Sequence, residues 1–240
     1  MKKFSVLSFF MLVLGICTCI SCGYLISTYI VSSNLFQYAS TVECEEQTVY
    51  AISMATSENS DELKAQKTQL QTQNGAGYIF EQDGKYYLLA SVYENVNDAE
   101  KVKDNLKNQG YGSEILNITL EKTKIEGNFS NEEKVILETS LKSNFDVFKS
   151  LYDVAISLDT NVFDLTKAKL ECNTIFSNHV STKTNLKTFF KNQTSEIKTL
   201  QQNLDEANNN LSNLISENYE NRSQTFSSLI KQTYCKILFD

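Results

Sequence analysis

The strongest constraint on this chain lies between Thr48 and Leu120, where one strand–helix–strand pattern is written twice. The first copy reads VYAISMA, a polar helical stretch and QNGAGYIFEQ; the second reads KYYLLASVY, VNDAEKVKDNLKNQGYGSE and ILNITL. Tyr50 aligns with Tyr87, which sets a repeat of 37 residues. Asn74-Gly75 and Gln109-Gly110 close the two helices at nearly the same offset, and each glycine suits the left-handed position just past a helix end.

Strands are predicted over 49–55, 76–82, 85–93 and 113–120, with helices over 58–71 and from Asn97, which is read as a cap. Asp61 and Glu62 stand near the start of the first helix, where acids favour its dipole. Ala99, Val102 and Leu106 mark one face of the second. Asp83-Gly84 is a two-residue hairpin turn joining the middle strands. The order β-α-β-β-α-β gives a four-stranded antiparallel sheet with both helices on one face and the other face open. A strand's period of two then sorts the side chains. With Leu88, Ala90 and Val92 toward the helices, Tyr87, Leu89, Ser91 and Tyr93 face outward, and by the repeat so do Tyr50, Ile52 and Met54. The reverse assignment stands beside this one; small Ala51, Ser53 and Ala90 beneath close-packed helices favour the first.

The two halves resemble the strand motifs of the SPOR (sporulation-related repeat) family of bacterial envelope proteins, approximately Y-x-V-Q-V-G-S-F, followed by an Asn-Ala pair opening a helix and a Gly closing it. Tyr87-Leu88-Leu89-Ala90-Ser91-Val92-Tyr93 fills the motif, Asp98-Ala99 opens the helix and Gly110 ends it; Tyr50 to Thr56 fills the first copy more loosely. The resemblance implies binding of peptidoglycan glycan strands through the open sheet face, at sites of cell division or sporulation. Tyr50, Ile52, Tyr87, Leu89, Ser91 and Tyr93 would be the glycan-binding residues. The chain departs from the family at Ile52 and Leu89, where the family often has a sugar-bonding Gln. Sugar binding needs polar groups that lack partners without the ligand, so that departure weakens the platform.

Lys2 and Lys3 precede Phe4 to Val31, a run without charge. About 20 apolar residues span a bilayer, and this run exceeds the core of a signal peptide. With lysines before it and Glu43, Glu45 and Glu46 after it, the positive-inside rule predicts a single-pass transmembrane anchor, N-terminus cytoplasmic and bulk outside. A cleaved signal is the competing expectation. Cys17, Cys19 and Cys22 fall inside the run and read as small membrane-helix side chains. Residues 32–47 are expected to form a polar connector.

After Gly127 the pattern turns helical. Apolar residues recur at steps of three and four over 131–158, 164–191 and 196–238, predicting three helices in an antiparallel bundle spanning 130–240. Heptad-like steps from Ile197 to Leu214 also suit a homodimer through these helices. A third arrangement lays one of these helices over the sheet face. Antiparallel last helices would allow Cys172 and Cys235 to pair, but two cysteines 63 residues apart do not make a disulfide framework, and the pairing stays open.

The expected architecture is therefore α+β: an anchor at 1–31, the connector at 32–47, a SPOR-like domain at 48–122 and an all-α helical bundle at 130–240. Net charge is −7, and the lysines are scattered among acids, which argues against a nucleic-acid partner. The single histidine, His179, cannot supply a zinc site and is read as solvated or capping. No catalytic residue, metal site or cofactor is expected, since no nucleophile-elbow, zinc-protease or P-loop spacing occurs. The expected partners are glycan strands, the membrane, and division or sporulation proteins. The rival expectation is a membrane-anchored protein-interaction adaptor that binds no glycan.

Overall fold

The computed structural model describes residues 40–191, 194–216 and 223–240. The run from Phe4 to Val31, its three cysteines and most of the expected connector lie outside them. Among the described residues no helix is long and apolar enough to cross a membrane. Ser40 and residues 126–128 belong to a small unit, within which Ser40 Oγ donates to the Gly127 carbonyl at 3.1 Å. The main unit holds residues 41–125 and 129–240.

In chain order the elements are β1 (Ser40–Cys44), β2 (Gln47–Ser57), α1 (Ser60–Thr72), β3 (Tyr78–Gln82), β4 (Lys85–Tyr93), α2 (Val96–Asn108), β5 (Glu114–Leu120) and β6 (Thr123–Gly127). Four helices follow: α3 (Asn131–Asp159), α4 (Leu165–Phe189), α5 (Ser195–Ser216) and α6 (Ser223–Phe239). The α+β class and the β-α-β-β-α-β order hold. β2 to β5 form one sheet in the order β3-β4-β2-β5, with every pairing antiparallel. The expected connector is in part a strand, since β1 pairs with β6 in a separate two-stranded ribbon. The expected third helix of the bundle is two, α5 and α6.

The repeat is real, but its period is one residue shorter than the tyrosines suggest. Asn59 caps α1 by accepting from the Asp61 amide, and Asn95 caps α2 by accepting from the Asn97 amide. The cap is thus Asn95, and Asn97 is the donor. The Gly75 amide returns to the Leu70 carbonyl at 2.9 Å, as the Tyr111 amide does to Leu106. Asn59 to Asn95, Leu70 to Leu106 and Gln73 to Gln109 all give an offset of 36. The left-handed residues are accordingly Asn74 (φ 70°) and Gly110 (φ 87°). Gly75 is required for a different reason: a Cβ there would lie 2.6 Å from the Leu70 side chain.

In β2 and β4 the bulged residues Met54 and Ala90, skipped in the β2–β4 register, obey the same offset. A slip of one residue moves a strand's side chains to the opposite face, so the offset of 36 aligns Tyr50, Ile52 and Met54 with Tyr86, Leu88 and Ala90. These are the residues that meet α1 and α2. Ile52 is fully buried beside Ala99 of α2, and Leu88 is buried with Leu63 and Leu70 of α1. The outward placement of Tyr50, Ile52 and Met54 is therefore reversed.

The second sheet face is covered. Val49, Ala51, Leu89, Val92 and Ile118 share one hydrophobic cluster with Phe148 and Leu151 of α3 and with Phe226, Ile230 and Tyr234 of α6. This is the third arrangement weighed above. Each large apolar side chain so buried contributes on the order of 1.5–3 kcal/mol of transfer free energy, enough to favour closing a face this apolar. A second core, around Val42, Ile125, Leu137, Leu186 and Ile197, packs the β1–β6 ribbon against the helices.

Candidate functional site

The six residues expected to bind glycan do not form one platform. Tyr50, Ile52 and Tyr93 lie with α2 on the repeat-helix side, where Tyr93 meets the Tyr152 ring of α3 edge-on at 5.8 Å. Tyr87 and Leu89 point the other way, into the cluster closed by the C-terminal helices, and Leu89 is wholly buried. Ser91 Oγ shares a hydrogen bond with the Tyr234 hydroxyl at 2.7 Å, and that hydroxyl also accepts from the Val92 amide at 3.4 Å. The polar group closest to a sugar-binding role is thus committed to α6, just past the bulge at Ala90.

Further contacts fix α6 in place. Phe239 packs on Tyr78 at 5.9 Å and on Phe80 at 4.8 Å between ring centroids, and the Tyr78 hydroxyl donates to Asp240 at 2.5 Å. Burial, reinforced by Asp240, pushes the Tyr78 phenol far above its ordinary range. Ser228 Oγ donates to the Gly75 carbonyl at 2.7 Å. Lys231 Nζ donates to the Asn74 carbonyl at 2.9 Å and to Asp159 at 2.6 Å, tying α6, the end of α1 and the end of α3 together.

Two concave features of the sheet half lie on its other side, one of about 520 Å³ lined by Tyr50, Glu94, Asn95, Val96, Asp98 and Tyr152, the other between α1 and α2. The clusters that seat α1 and α2 share only Met54 and Ala90, the two bulged residues, so the helices stand apart over the middle of the sheet. Between them is a groove of about 340 Å³. Met54, Ala90, Leu70, Val102 and Leu106 line it with Gln73, Gln109 and Tyr111, and so do Ser91 and Tyr93 of the expected site and Asn74, whose buried Oδ1 has no hydrogen-bond partner. The two glutamines are repeat-related C-cap residues and both are exposed. A site of this size with an apolar interior and a few polar groups has the character of a binding pocket. Tyr111 was not singled out by sequence reasoning. Its signal is position, directly after the residue equivalent to left-handed Asn74.

In the helical half, His179 is 2% exposed and not solvated as expected. Its Nδ1 lies 3.2 Å from Asn208 Oδ1 on α5 and its Nε2 3.4 Å from Asn144 Oδ1 on α3, so it pins three helices together. Burial pushes its pKa below the ordinary value, partly opposed by the Asn208 bond. The Cys172–Cys235 pairing that the sequence left open is not formed; both thiols are free and buried. Burial raises Cys172 to about 12 and holds Cys235 well above the usual thiol range, which leaves neither a nucleophile at neutral pH. Among the described residues no group of three or more His, Cys, Asp or Glu side chains is arranged to hold a metal.

No family model matches the sequence, and no curated protein matches it. Among solved structures, similarity is found to the solution structure of the peptidoglycan binding domain of the B. subtilis cell wall lytic enzyme CwlC. It has 11% identity and a TM-score of 0.27, covering 31% of this chain and 95% of that one. A likeness at that level carries no argument about ligand or activity.

Proposed function

We propose that this protein is a non-enzymatic, membrane-tethered interaction adaptor of a bacterial envelope, in which a SPOR-like unit serves as the platform for a helical half. The observation that carries it is the burial of Leu89, Val92, Val49 and Ala51 beneath α3 and α6. A sheet face sealed by its own chain has no room for a polysaccharide, whereas a rigid two-part body suits the presentation of binding surfaces. The tether is the uncharged run from Phe4 to Val31, with the bulk of the chain outside the cytoplasm. The partners are division or sporulation proteins.

Peptidoglycan binding is the second reading, favoured by the β3-β4-β2-β5 order and the doubled repeat. It requires a surface other than the sealed face. Co-sedimentation of the full chain, held in detergent, with amidase-treated wall sacculi separates the two. The adaptor predicts no retention above that of a control membrane protein. Saturable retention of the folded full chain on the sacculi would overturn it.

A further inference from the structure

We propose that β5 pairs antiparallel with β5 of a second copy of this chain, about a two-fold axis at Asn117, and so joins two four-stranded sheets edge to edge. The proposal goes beyond the adaptor assignment, which it makes bivalent.

The strand is an open edge. It stands last in the order β3-β4-β2-β5, and no described strand pairs with its outer side. A bare edge offers unpaired amides and carbonyls to any extended chain, and proteins usually blunt it with a bulge, a proline, a lysine or a short strand. β5 carries none of these over its seven residues, and its ladder to β2 runs without the register shifts that mark β2 against β4. Its one charged side chain, Glu114, turns back to accept from Thr56 Oγ1 at 2.6 Å. The opposite edge, β3, has five residues, includes Glu81 and is packed by Phe239 of α6 on Tyr78 and Phe80.

A second copy is selected because the pattern of β5 is self-complementary. Leu116, Ile118 and Leu120 belong to the sealed side and Ile115 to the side of α2. Residues directly opposed in an antiparallel pair share a face, so the two sheets stay continuous only if the axis passes through a residue. Asn117 is the middle residue of the strand, and an axis there pairs all of it: Leu116 with Ile118, Ile115 with Thr119 and Glu114 with Leu120 of the second copy. No charge meets its like. The exposed Asn117 meets Asn117 of the second copy, each amide supplying both a donor and an acceptor. The heptad residues from Ile197 to Leu214 that suited a dimer are buried within the chain, and the two-fold contact moves to the sheet edge. Tethering in one bilayer raises the effective concentration of two copies. That support rests on the tether of the adaptor reading; the strand pairing does not.

The test uses the full chain in phosphatidylcholine liposomes, with one exposed residue of β5 replaced by cysteine and disulfide bridges located by peptide mass spectrometry. Asn117→Cys should bridge to itself under mild oxidation, because directly opposed residues stand about 4.5–5.5 Å apart between Cα atoms, within disulfide reach. Thr119→Cys should not, since its counterpart lies about 13 Å away along the strand. Equal bridging at the two positions would overturn the proposal. Asn117→Lys sets two ammonium groups against each other at the axis and should weaken the dimer about fivefold, read by energy transfer between labelled copies as added lipid dilutes them. Mixing it with Asn117→Asp should restore the pairing. A dimer indifferent to Asn117→Lys would overturn this interface. Flotation of the chain with the liposomes reports the tether separately. Flotation without a bridge at position 117 would overturn the dimer and leave the adaptor standing; a bridge without flotation would overturn the tether and leave the dimer; neither signal would overturn both.

Discussion

The two faces of the central sheet are both apolar, yet they meet different fates. The face toward α1 and α2 is covered incompletely, because the helices seat on separate clusters and leave a groove over Met54 and Ala90. The opposite face is closed by α3 and α6 in the largest continuous cluster among the described residues. The sheet face expected from the sequence to be bare is core, and concave surface lies instead on the side of α1 and α2.

The contrast is broken most severely by removing α6. A chain ending at Ser216 should expose Leu89, Val92 and Tyr78 and lose cooperative unfolding; a fragment covering residues 44–122 should likewise bind hydrophobic dyes and fail to give dispersed NMR spectra. A sharply folded fragment would show that the sheet half is self-sufficient. Next in size, Phe148→Ala on the sealed side should cost roughly 3–5 kcal/mol in urea unfolding, whereas Met54→Ala on the groove side should cost below about 2 kcal/mol, because Met54 is only partly buried. Equal costs would erase the distinction between the faces.

Much of this arrangement was legible in the residues, and its failures have physical causes. The hairpin at Asp83-Gly84 was fixed by its turn chemistry, and both residues do take positive φ, 53° and 74°. The alternation was not fixed. Tyr50 matches Tyr86 and Tyr87 equally well by residue type, and only the asparagine caps and the bulges select the offset of 36. Because a strand has period two, that single residue reversed β2. The bulge at Ala90 then breaks the alternation of β4 itself, leaving Leu89 and Val92 on the sealed side and Tyr93 on the other. The groove was not visible either, since Gln73, Gln109 and Tyr111 read as ordinary surface residues until the helices are seen to stand apart.

Smaller effects sharpen the comparison. Tyr234→Phe removes the hydroxyl that Ser91 shares on the sealed side and should cost about 1–3 kcal/mol, with little further loss when combined with Ser91→Ala. Additive losses would show that the two groups do not act as a pair. In the helical half, His179 has a folded-state pKa below its unfolded value, so the unfolded chain binds the extra proton first as pH falls. The contribution of His179 is therefore fully present above its unfolded pKa of about 6.5 and declines as pH drops below it. His179→Gln should flatten that limb of the stability–pH curve, read by thermal unfolding. An unchanged slope would assign the acid sensitivity to other groups.

Cys235 offers the most direct test of the sealed face, because it is fully buried on α6 within the cluster that covers the sheet, while Cys172 is fully buried on α4. Alkylation of the native full chain, resolved by peptide mass spectrometry, should modify both thiols no faster than the chain unfolds globally. Rapid modification of Cys235 while Cys172 stays protected would mean that α6 lifts from the sheet in the native state, which contradicts the sealed face.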